Sequence, residues 1–86
     1  MDPYDILDHP HVTEKTMDRL DNENAIDFVV DIDATKPQIA WAVEEMFDTE
    51  VADVRTLVDP RGNKRAIIKF PEDIEAEDIA MRVGIF

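Results

Sequence analysis

Apolar and acidic side chains alternate along residues 25–31 of the chain. The apolar positions are Ile26, Phe28 and Val30, and the acidic positions between and after them are Asp27 and Asp31. This period of two predicts a strand that buries one face in a core. Val29 interrupts the polar positions, so we expect the second face of this strand to be partly covered as well.

Two more strands are predicted further along the chain, over residues 51–58 and 66–70. The residues between them include Pro60, Gly62 and Asn63, which are all typical of turns. These two strands are therefore expected to form a hairpin. The strands over residues 25–31 and 51–58 flank a helical segment and can pair in either direction, which the sequence leaves open.

The first helical signals are short. Residues 4–8 allow one helical turn before Pro10, which pushes the residue ahead of it toward extended backbone. Thr13 is a suitable N-cap for a short second helix, which Asp21 and Asn22 are expected to end.

Two longer helices are predicted in the rest of the chain. Thr35 begins the first of them, because Gln38 completes a capping box and proline occupies the first turn. Its apolar stripe is Ile39, Val43, Met46 and Phe47. Trp41 lies off this stripe. The last helix is predicted over residues 74–83, with Gly84 as a C-terminal cap.

The predicted order is helix, strand, helix, strand, strand, helix. A chain of 86 residues has the length of one small domain with a modest core, so we expect a single domain over residues 1–86. The fold class that follows is α+β, with a small, mainly antiparallel sheet of three to four strands and helices packed on it.

The formal net charge of −12 is unevenly distributed. Residues 54–70 contain one acid, Asp59, and the five hairpin cations, which are Arg55, Arg61, Lys64, Arg65 and Lys69. Alternation places Arg55 on one face of its strand, and Lys69 with Ile67 on one face of the next. A cationic hairpin is able to follow a phosphate backbone without reading bases. A sheet edge protected by charge produces the same pattern, and composition alone favours neither explanation.

The rest of the chain carries twenty acids and four cations. Such a surface is expected of a halophilic protein, because charges are screened within about 3 Å at 1 M salt. A solvated acidic face that keeps a small domain soluble is the simpler alternative. The lack of cysteine agrees with an intracellular protein. No apolar run approaches the roughly 18 residues of a membrane span, and the acidic first residues do not resemble a signal peptide.

Catalytic and metal chemistry find little support in the sequence. His9 and His11 flank a proline, which makes a shared metal ion an unfavoured arrangement. Adjacent acids such as Glu44 and Glu45 are typical of solvated helix faces, and the two glycines do not form a phosphate-binding loop. We therefore expect no catalytic residue, no metal, no cofactor and no small-molecule substrate.

Four short motifs, in this order and spacing, point to a known family. They are His9-Pro10-His11-Val12-Thr13-Glu14-Lys15, Asp33-Ala34-Thr35-Lys36, Ala42-Val43-Glu44-Glu45-Met46-Phe47 and Val54-Arg55-Thr56-Leu57. In them the chain resembles the universal large-subunit ribosomal proteins of the L-twenty-three family, most of all the archaeal form, over residues 4–86. The fold that this resemblance implies, a ribosomal α/β plait-like sandwich, agrees with the α+β class.

The resemblance implies a structural protein that binds large-subunit rRNA beside the polypeptide exit port. It implies that Thr13 and Lys15 lie close to rRNA, that Lys36 contacts a phosphate, and that the five hairpin cations complete the surface. Val12, Thr13 and Glu14 are implied to form part of a patch where the signal recognition particle and other exit-port factors dock. Neighbouring ribosomal proteins are further implied partners, in a cytoplasmic, ribosome-bound setting.

One departure from the family pattern concerns the hairpin. Bacterial relatives have a long basic extension between its strands, whereas only residues 59–65 separate them here, so we expect this chain not to line the deep tunnel. The main alternative function is an acidic interaction module that binds a basic protein through Trp41 or Glu14 and ignores RNA. An acylphosphatase-like hydrolase is a weaker alternative, since it needs a phosphate-cradling loop.

Overall fold

The computed structural model describes residues 2–85, so Met1 and Phe86, at the two ends of the predicted domain, lie outside it. Its strands are β1 (Leu7–Pro10), β2 (Ala25–Val30), β3 (Asp53–Val58) and β4 (Lys64–Lys69). Its helices are α1 (Pro3–Ile6), α2 (Glu14–Glu23), α3 (Lys36–Phe47) and α4 (Ala76–Arg82). The strands form one antiparallel sheet in the order β1-β2-β4-β3, with helices packed on it, which confirms the α+β class.

The helical turn predicted over residues 4–8 is present, but it ends earlier than predicted because strand β1 begins at Leu7. The helix ends at Ile6, and the next four residues pair with β2 instead. The N–H of Asp31 also donates to the C=O of Ile6, at 2.9 Å. Pro10 forces extended backbone on its predecessor, and the extended conformation continues back to Leu7, where pairing with β2 satisfies the backbone.

The hairpin is confirmed, and it settles how the strands pair. Strand β4 lies between β2 and β3 and is antiparallel to both, so the two strands that flank α3 do not touch. The N–H of Asp59 donates to the C=O of Asn63 at 2.9 Å, and Gly62 takes the positive φ of 87° that the turn requires. Strand β4 begins at Lys64, two residues earlier than predicted.

The pairing register divides the sheet into two faces. Even-numbered residues of β2, β3 and β4 share the face that builds the core with α3 and α4. This face includes Ile26, Phe28, Val30, Val54, Ala66 and Ile68. The predicted stripe of α3 packs against it, and the ring centroids of Phe28 and Phe47 lie 6.3 Å apart. The odd-numbered residues of the same strands point to the other face, which we call the odd face.

The predicted helix caps are confirmed. The hydroxyl of Thr13 accepts the N–H of Thr16 at 3.2 Å, and the hydroxyl of Thr35 accepts the N–H of Gln38 at 3.3 Å. The Gln38 side chain returns a bond to the Thr35 N–H at 3.0 Å, which completes the capping box. Gly84, with φ of 82°, follows the end of α4. Helix α2 is longer than predicted and continues to Glu23.

Asn24 connects the end of α2 to the start of α4. Its φ of 55° is left-handed, and its side-chain N–H groups donate to the C=O of Phe70, Pro71 and Ile74 at 3.3, 3.1 and 2.8 Å. Its side-chain oxygen accepts the N–H of Ala76 at 2.8 Å. Helix α4 has no side-chain cap of its own at its N-cap position, so Asn24 supplies the cap from a distant part of the chain.

Asp27 is a buried carboxylate on the odd face, 3% exposed. The Arg19 Nε–H donates to its Oδ1 at 2.9 Å, which ties α2 to β2. Burial raises the pKa of Asp27 above its usual value of 3.8, and the nearby Arg19 guanidinium only partly opposes this shift. The covered second face that Val29 indicated is thus present, and it also encloses an acid.

Replacing Asn24 with glycine tests the connection between α2 and α4. Glycine adopts the same positive φ without strain. Any fall in the free energy of unfolding therefore reports the lost side-chain hydrogen bonds alone. We expect the free energy of unfolding to fall by about 1–3 kcal/mol, because several backbone groups lose their partners. Asp48→Gly is the matched control: Asp48 ends α3 at φ 49°, and its side chain makes no bond within residues 2–85. Equal effects in denaturant melts of the two variants would contradict the assigned role.

Asp27→Asn tests the buried carboxylate through the pH dependence of stability. A raised pKa means that the folded state favours the protonated acid, so its stabilising contribution is present below pH 3.8 and is lost as pH rises through the folded-state pKa. We expect the stability of the unmodified chain, relative to Asp27→Asn, to fall from pH 3 to pH 7. Melts of both chains in one salt-matched buffer series measure this difference. If the stability of the unmodified chain relative to Asp27→Asn instead rises with pH, the ion pair with Arg19 outweighs the effect of burial on Asp27.

Candidate nucleic-acid interface

Three of the five hairpin cations share the odd face of the sheet. Arg55 lies on β3, and Arg65 and Lys69 lie on β4. Arg55 is opposite Ile67 in the pairing register, which confirms the alternation expected for both strands. The helices that enclose the core pack on the even face. The hairpin therefore presents these cations on a sheet surface that α3 and α4 leave uncovered and that α2 reaches through Arg19 and Glu23.

The middle of the odd face is apolar. Ile67 and Val29 are 7% and 9% exposed, although neither belongs to the main core. In the register Ile67 lies between Arg55 and Asp27, and Val29 lies beside Arg65. Long cationic side chains commonly cover apolar neighbours with their aliphatic stems and keep their charged ends in water. The face thus combines an apolar centre with cationic groups around it.

Arg55 is held in place by a chain of ion pairs from α2. Its Nη2 lies 3.0 Å from Oε1 of Glu23, and Glu23 also contacts Arg19 at 3.6 Å. Arg19 in turn bonds Asp27, whose pKa is raised by burial. Arg55 is still about half exposed. Its guanidinium is therefore oriented by Glu23 and keeps donors free for a second acceptor.

Arg65 is oriented by the hairpin turn. Its Nε lies 3.6 Å from Oδ2 of Asp59, and this buried Nε–H has no hydrogen-bond partner among residues 2–85. The other oxygen of Asp59 accepts the backbone N–H groups of Arg61 and Asn63, at 2.9 and 3.0 Å. The turn thus fixes Asp59, and Asp59 fixes the direction of Arg65.

Lys64 lies on the even side of β4 and turns away from the odd face. Its Nζ donates to the C=O of Ala34 at 2.7 Å and lies 3.5 Å from the C=O of Ile32. These bonds attach the hairpin to the loop that precedes α3. Among the five hairpin cations, Lys64 is the one with a clear internal structural role.

The remaining predicted cations have free side chains. Within residues 2–85, the side chains of Lys15, Lys36, Arg61 and Lys69 make no hydrogen bond or ion pair, and all four are exposed. Lys36 is the first residue of α3. A cation at this positive end of a helix is electrostatically unfavourable unless an anion lies nearby. Arg61 is at the tip of the hairpin turn.

The start of α2 presents a separate exposed surface. Val12 is 49% exposed, and Thr13, Glu14 and Lys15 are exposed beside it. The Thr13 hydroxyl is engaged in capping through Thr16. These residues are adjacent to one another, but they lie on a different element from the hairpin cations.

Charge is separated between the two sides of the molecule. Many exposed acids lie on the helices or at their ends, including Glu44, Glu45, Asp48, Glu75, Glu77 and Asp78. Cations concentrate on the hairpin and the odd face, where the acids among them include Glu23, Asp27, Asp53 and Asp59. An anionic ligand is therefore repelled less by the sheet side than by the helix side.

The ion pairs around Asp27 were missed in the sequence. The available signal was an aspartate between Ile26 and Phe28 in an otherwise apolar strand, since a buried charge needs a partner. Within the described residues no three histidine or acidic side chains converge on a possible ion site. His9 instead contacts its neighbour Asp8, at 3.4 Å.

No helix in residues 2–85 is long and apolar enough to cross a membrane.

Comparison with known proteins identifies the family of the chain. Residues 5–76 match the family of ribosomal protein L23. The large ribosomal subunit protein uL23 of Methanobrevibacter smithii is 51% identical over 86 residues, which cover all of both chains. The protein of the same name from Halobacterium salinarum is 46% identical over 81 residues, covering 94% of this chain and 96% of the relative.

Both the matched residues and the identities extend over most of the chain, including β1, the hairpin and α3. Relatives of this similarity include proteins from methanogens, so the comparison does not confirm the predicted halophilic type. The chain therefore belongs to the ribosomal protein L23 family, whose members are structural proteins and not enzymes.

Proposed function

We propose that the chain is a structural component of the large ribosomal subunit and that it binds large-subunit rRNA through the odd face, next to the polypeptide exit port. The observation that carries this proposal is the gathering of Arg55, Arg65 and Lys69 on a face that the core helices leave free. The names of the relatives, which are large-subunit ribosomal proteins, support rRNA as the ligand.

The contacts are expected to be to phosphates more than to bases. Arginine and lysine side chains on a sheet surface fix a protein's position on the nucleic-acid backbone and carry little sequence information. Lys36 and Arg61 extend the surface toward the start of α3 and the hairpin tip, and Lys15 and Thr13 extend it toward α2. Because the whole chain is acidic, rRNA binding is expected to depend on the shape of folded rRNA, with weak affinity for unrelated RNA.

The short hairpin limits how far the protein reaches. Only the five residues Asp59–Asn63 connect β3 to β4, and the turn is closed by its own hydrogen bonds. A tip of this size reaches a few residues beyond the sheet. We therefore assign the chain to the rim of the exit port and not to the deep tunnel.

Val12, Thr13 and Glu14 form a proposed docking patch for the signal recognition particle and other nascent-chain factors. Their exposure at the start of α2 and their separation from the odd face support this role. Thr13 belongs to both proposed surfaces, and Val12 and Glu14 are the residues of the patch that remain available to a partner. Glu14 is the residue suited to a basic group on the partner.

The surface outside the odd face and the docking patch is proposed to contact neighbouring ribosomal proteins and solvent. We assign residues 1–86 to one rRNA-binding domain that is ribosome-bound in the cytoplasm and contacts neighbouring ribosomal proteins. Trp41, 37% exposed among acids of α3, is available for such a contact. The exposed acids on the helix side support adaptation to concentrated salt, where screening reduces their repulsion from rRNA.

Lys69→Gln tests the odd face, because this lysine has no internal partner to lose within residues 2–85. We expect affinity for a folded large-subunit rRNA domain to fall by about 1.5–3 kcal/mol, the scale of a charged hydrogen bond. Binding is measured in concentrated potassium chloride, with unrelated RNA of equal length as the reference. Glu77→Gln on α4 is the control for a unit change of charge and is expected not to weaken binding. If Lys69→Gln binds rRNA with unchanged affinity, this lysine is not part of the interface. If the folded, unmodified chain shows no specific rRNA binding, the alternative function as an acidic protein-binding module is favoured.

Glu14→Ala tests the docking patch. The Glu14 side chain makes no bond within the described residues, so the fold and rRNA binding are expected to stay unchanged. Binding of signal recognition particle to ribosomes assembled with the variant is expected to weaken severalfold, measured by co-sedimentation. Glu45→Ala, an exposed acid on α3, is the control. Failure of Glu14→Ala to assemble into ribosomes would instead make Glu14 a structural residue.

A further inference from the structure

The two edges of the sheet differ in how they are protected. Strand β1 has four residues, ends in Pro10, which lacks an N–H group, and has a register irregularity between Leu7 and His9. These features are common protections against pairing with another chain. Strand β3 has six residues and contains neither a proline nor a register irregularity. Its open side is therefore able to accept another strand.

The hydrogen bonds of the hairpin show which backbone groups of β3 are free. The N–H of Asp59 bonds Asn63, and bonds alternate along an antiparallel pair. In the register of β3 and β4, Arg55 and Leu57 consequently bond to β4. The N–H and C=O groups of Val54, Thr56 and Val58 point away from the sheet. Within residues 2–85 no strand lies on that side.

The side chains along this edge suit an extended peptide. Leu57 and Val58 are 39% and 59% exposed, which is high for apolar residues on a strand. At the other end of β3, an open groove of about 290 Å³ lies between the strand and α3 and is lined in part by Pro37, Ala40 and Val54. Apolar side chains of a peptide that pairs with β3 are able to pack in this groove and against Val58.

Charge selects the occupant of this edge. Asp53 lines the groove and Glu50 is exposed next to it in the sequence, whereas Lys36 is the one cation among the lining residues. Glu44 lies one helical turn beyond Ala40 on the same side of α3, so the acids outnumber the cation. A second copy of the chain carries a net charge of −12 and is repelled. An extended segment with basic residues is attracted, and its backbone supplies the missing donors and acceptors.

We propose that the open edge of β3 is a docking site for an extended, basic segment of a partner protein, which pairs with Val54, Thr56 and Val58 as a fifth strand. Backbone pairing supplies affinity, the groove beside α3 accepts an apolar side chain, and the flanking acids select basic partners. Arg55 lies on β3 and Lys36 lines the groove, so this edge borders the proposed rRNA interface. The outward backbone groups of β3 are not part of that interface, and peptide pairing measured without RNA tests the two sites separately.

Amide hydrogen exchange with a model peptide tests this site. The probe is a nine-residue peptide of alternating lysine and valine, added at millimolar concentration to the intact chain. In the free chain, the amides of Val54, Thr56 and Val58 are expected to exchange faster than those of Arg55 and Leu57. The peptide is expected to slow the first set at least about tenfold. Absence of this alternating protection at saturating peptide would overturn the proposal, as would the same protection from self-association without peptide.

Thr56→Pro separates strand pairing from adsorption by charge. Proline removes the outward N–H of Thr56 and fills its position, while the bonds of Arg55 and Leu57 to β4 remain. Peptide affinity is expected to fall at least about tenfold, the equivalent of losing one or two hydrogen bonds. Thr56→Val keeps the backbone and is expected to bind like the unmodified chain. Equal peptide binding by Thr56→Pro would contradict strand pairing, and if that variant does not fold, the exchange pattern of the unmodified chain decides the question.

Discussion

The register of β2 against β4 is the constraint on which the rest of the structure depends. It brings Ile26 opposite Ile68 and Phe28 opposite Ala66, on the face that the helices cover. Because side chains alternate along a strand, the same pairing directs Arg65 and the last lysine of β4 to the opposite face. A slip of one residue would bury these cations and expose the core. The stability of the core and the position of the cationic face therefore follow from one set of backbone bonds.

Three polar connections between different elements hold the rest of the fold to this sheet. Asn24 joins the end of α2 to the start of α4, Arg19 joins α2 to Asp27, and Lys64 joins the hairpin to the loop before α3. Each of them satisfies backbone carbonyls or a buried charge that is costly to leave alone. Together they attach α2, α4 and the loop before α3 to the sheet, while α3 and α4 leave the odd face uncovered and carry many of the exposed acids. A cationic surface on an acidic protein is suited to a folded anionic partner in concentrated salt.

Elements with their own start and stop residues were predictable from the sequence. Thr13 and Thr35 mark their helices through local caps, and the hairpin follows from turn residues. Strand β1 was not predictable, because four residues ending in a proline are stabilised only by pairing with β2. The same limit applies to the candidate site. Alternation placed Arg55 on the correct face, whereas the bond from Lys64 to the C=O of Ala34 depends on how distant segments pack.

A density map of the large ribosomal subunit with this chain in place tests the assignment of the odd face most directly. We expect rRNA phosphates within hydrogen-bond distance of Arg65 and Lys69, with α3 and α4 turned away from the rRNA. The hairpin tip is expected at the rim of the exit port. A map in which the acidic helices face the rRNA, and the cations of the odd face meet solvent or protein, would contradict the proposed function.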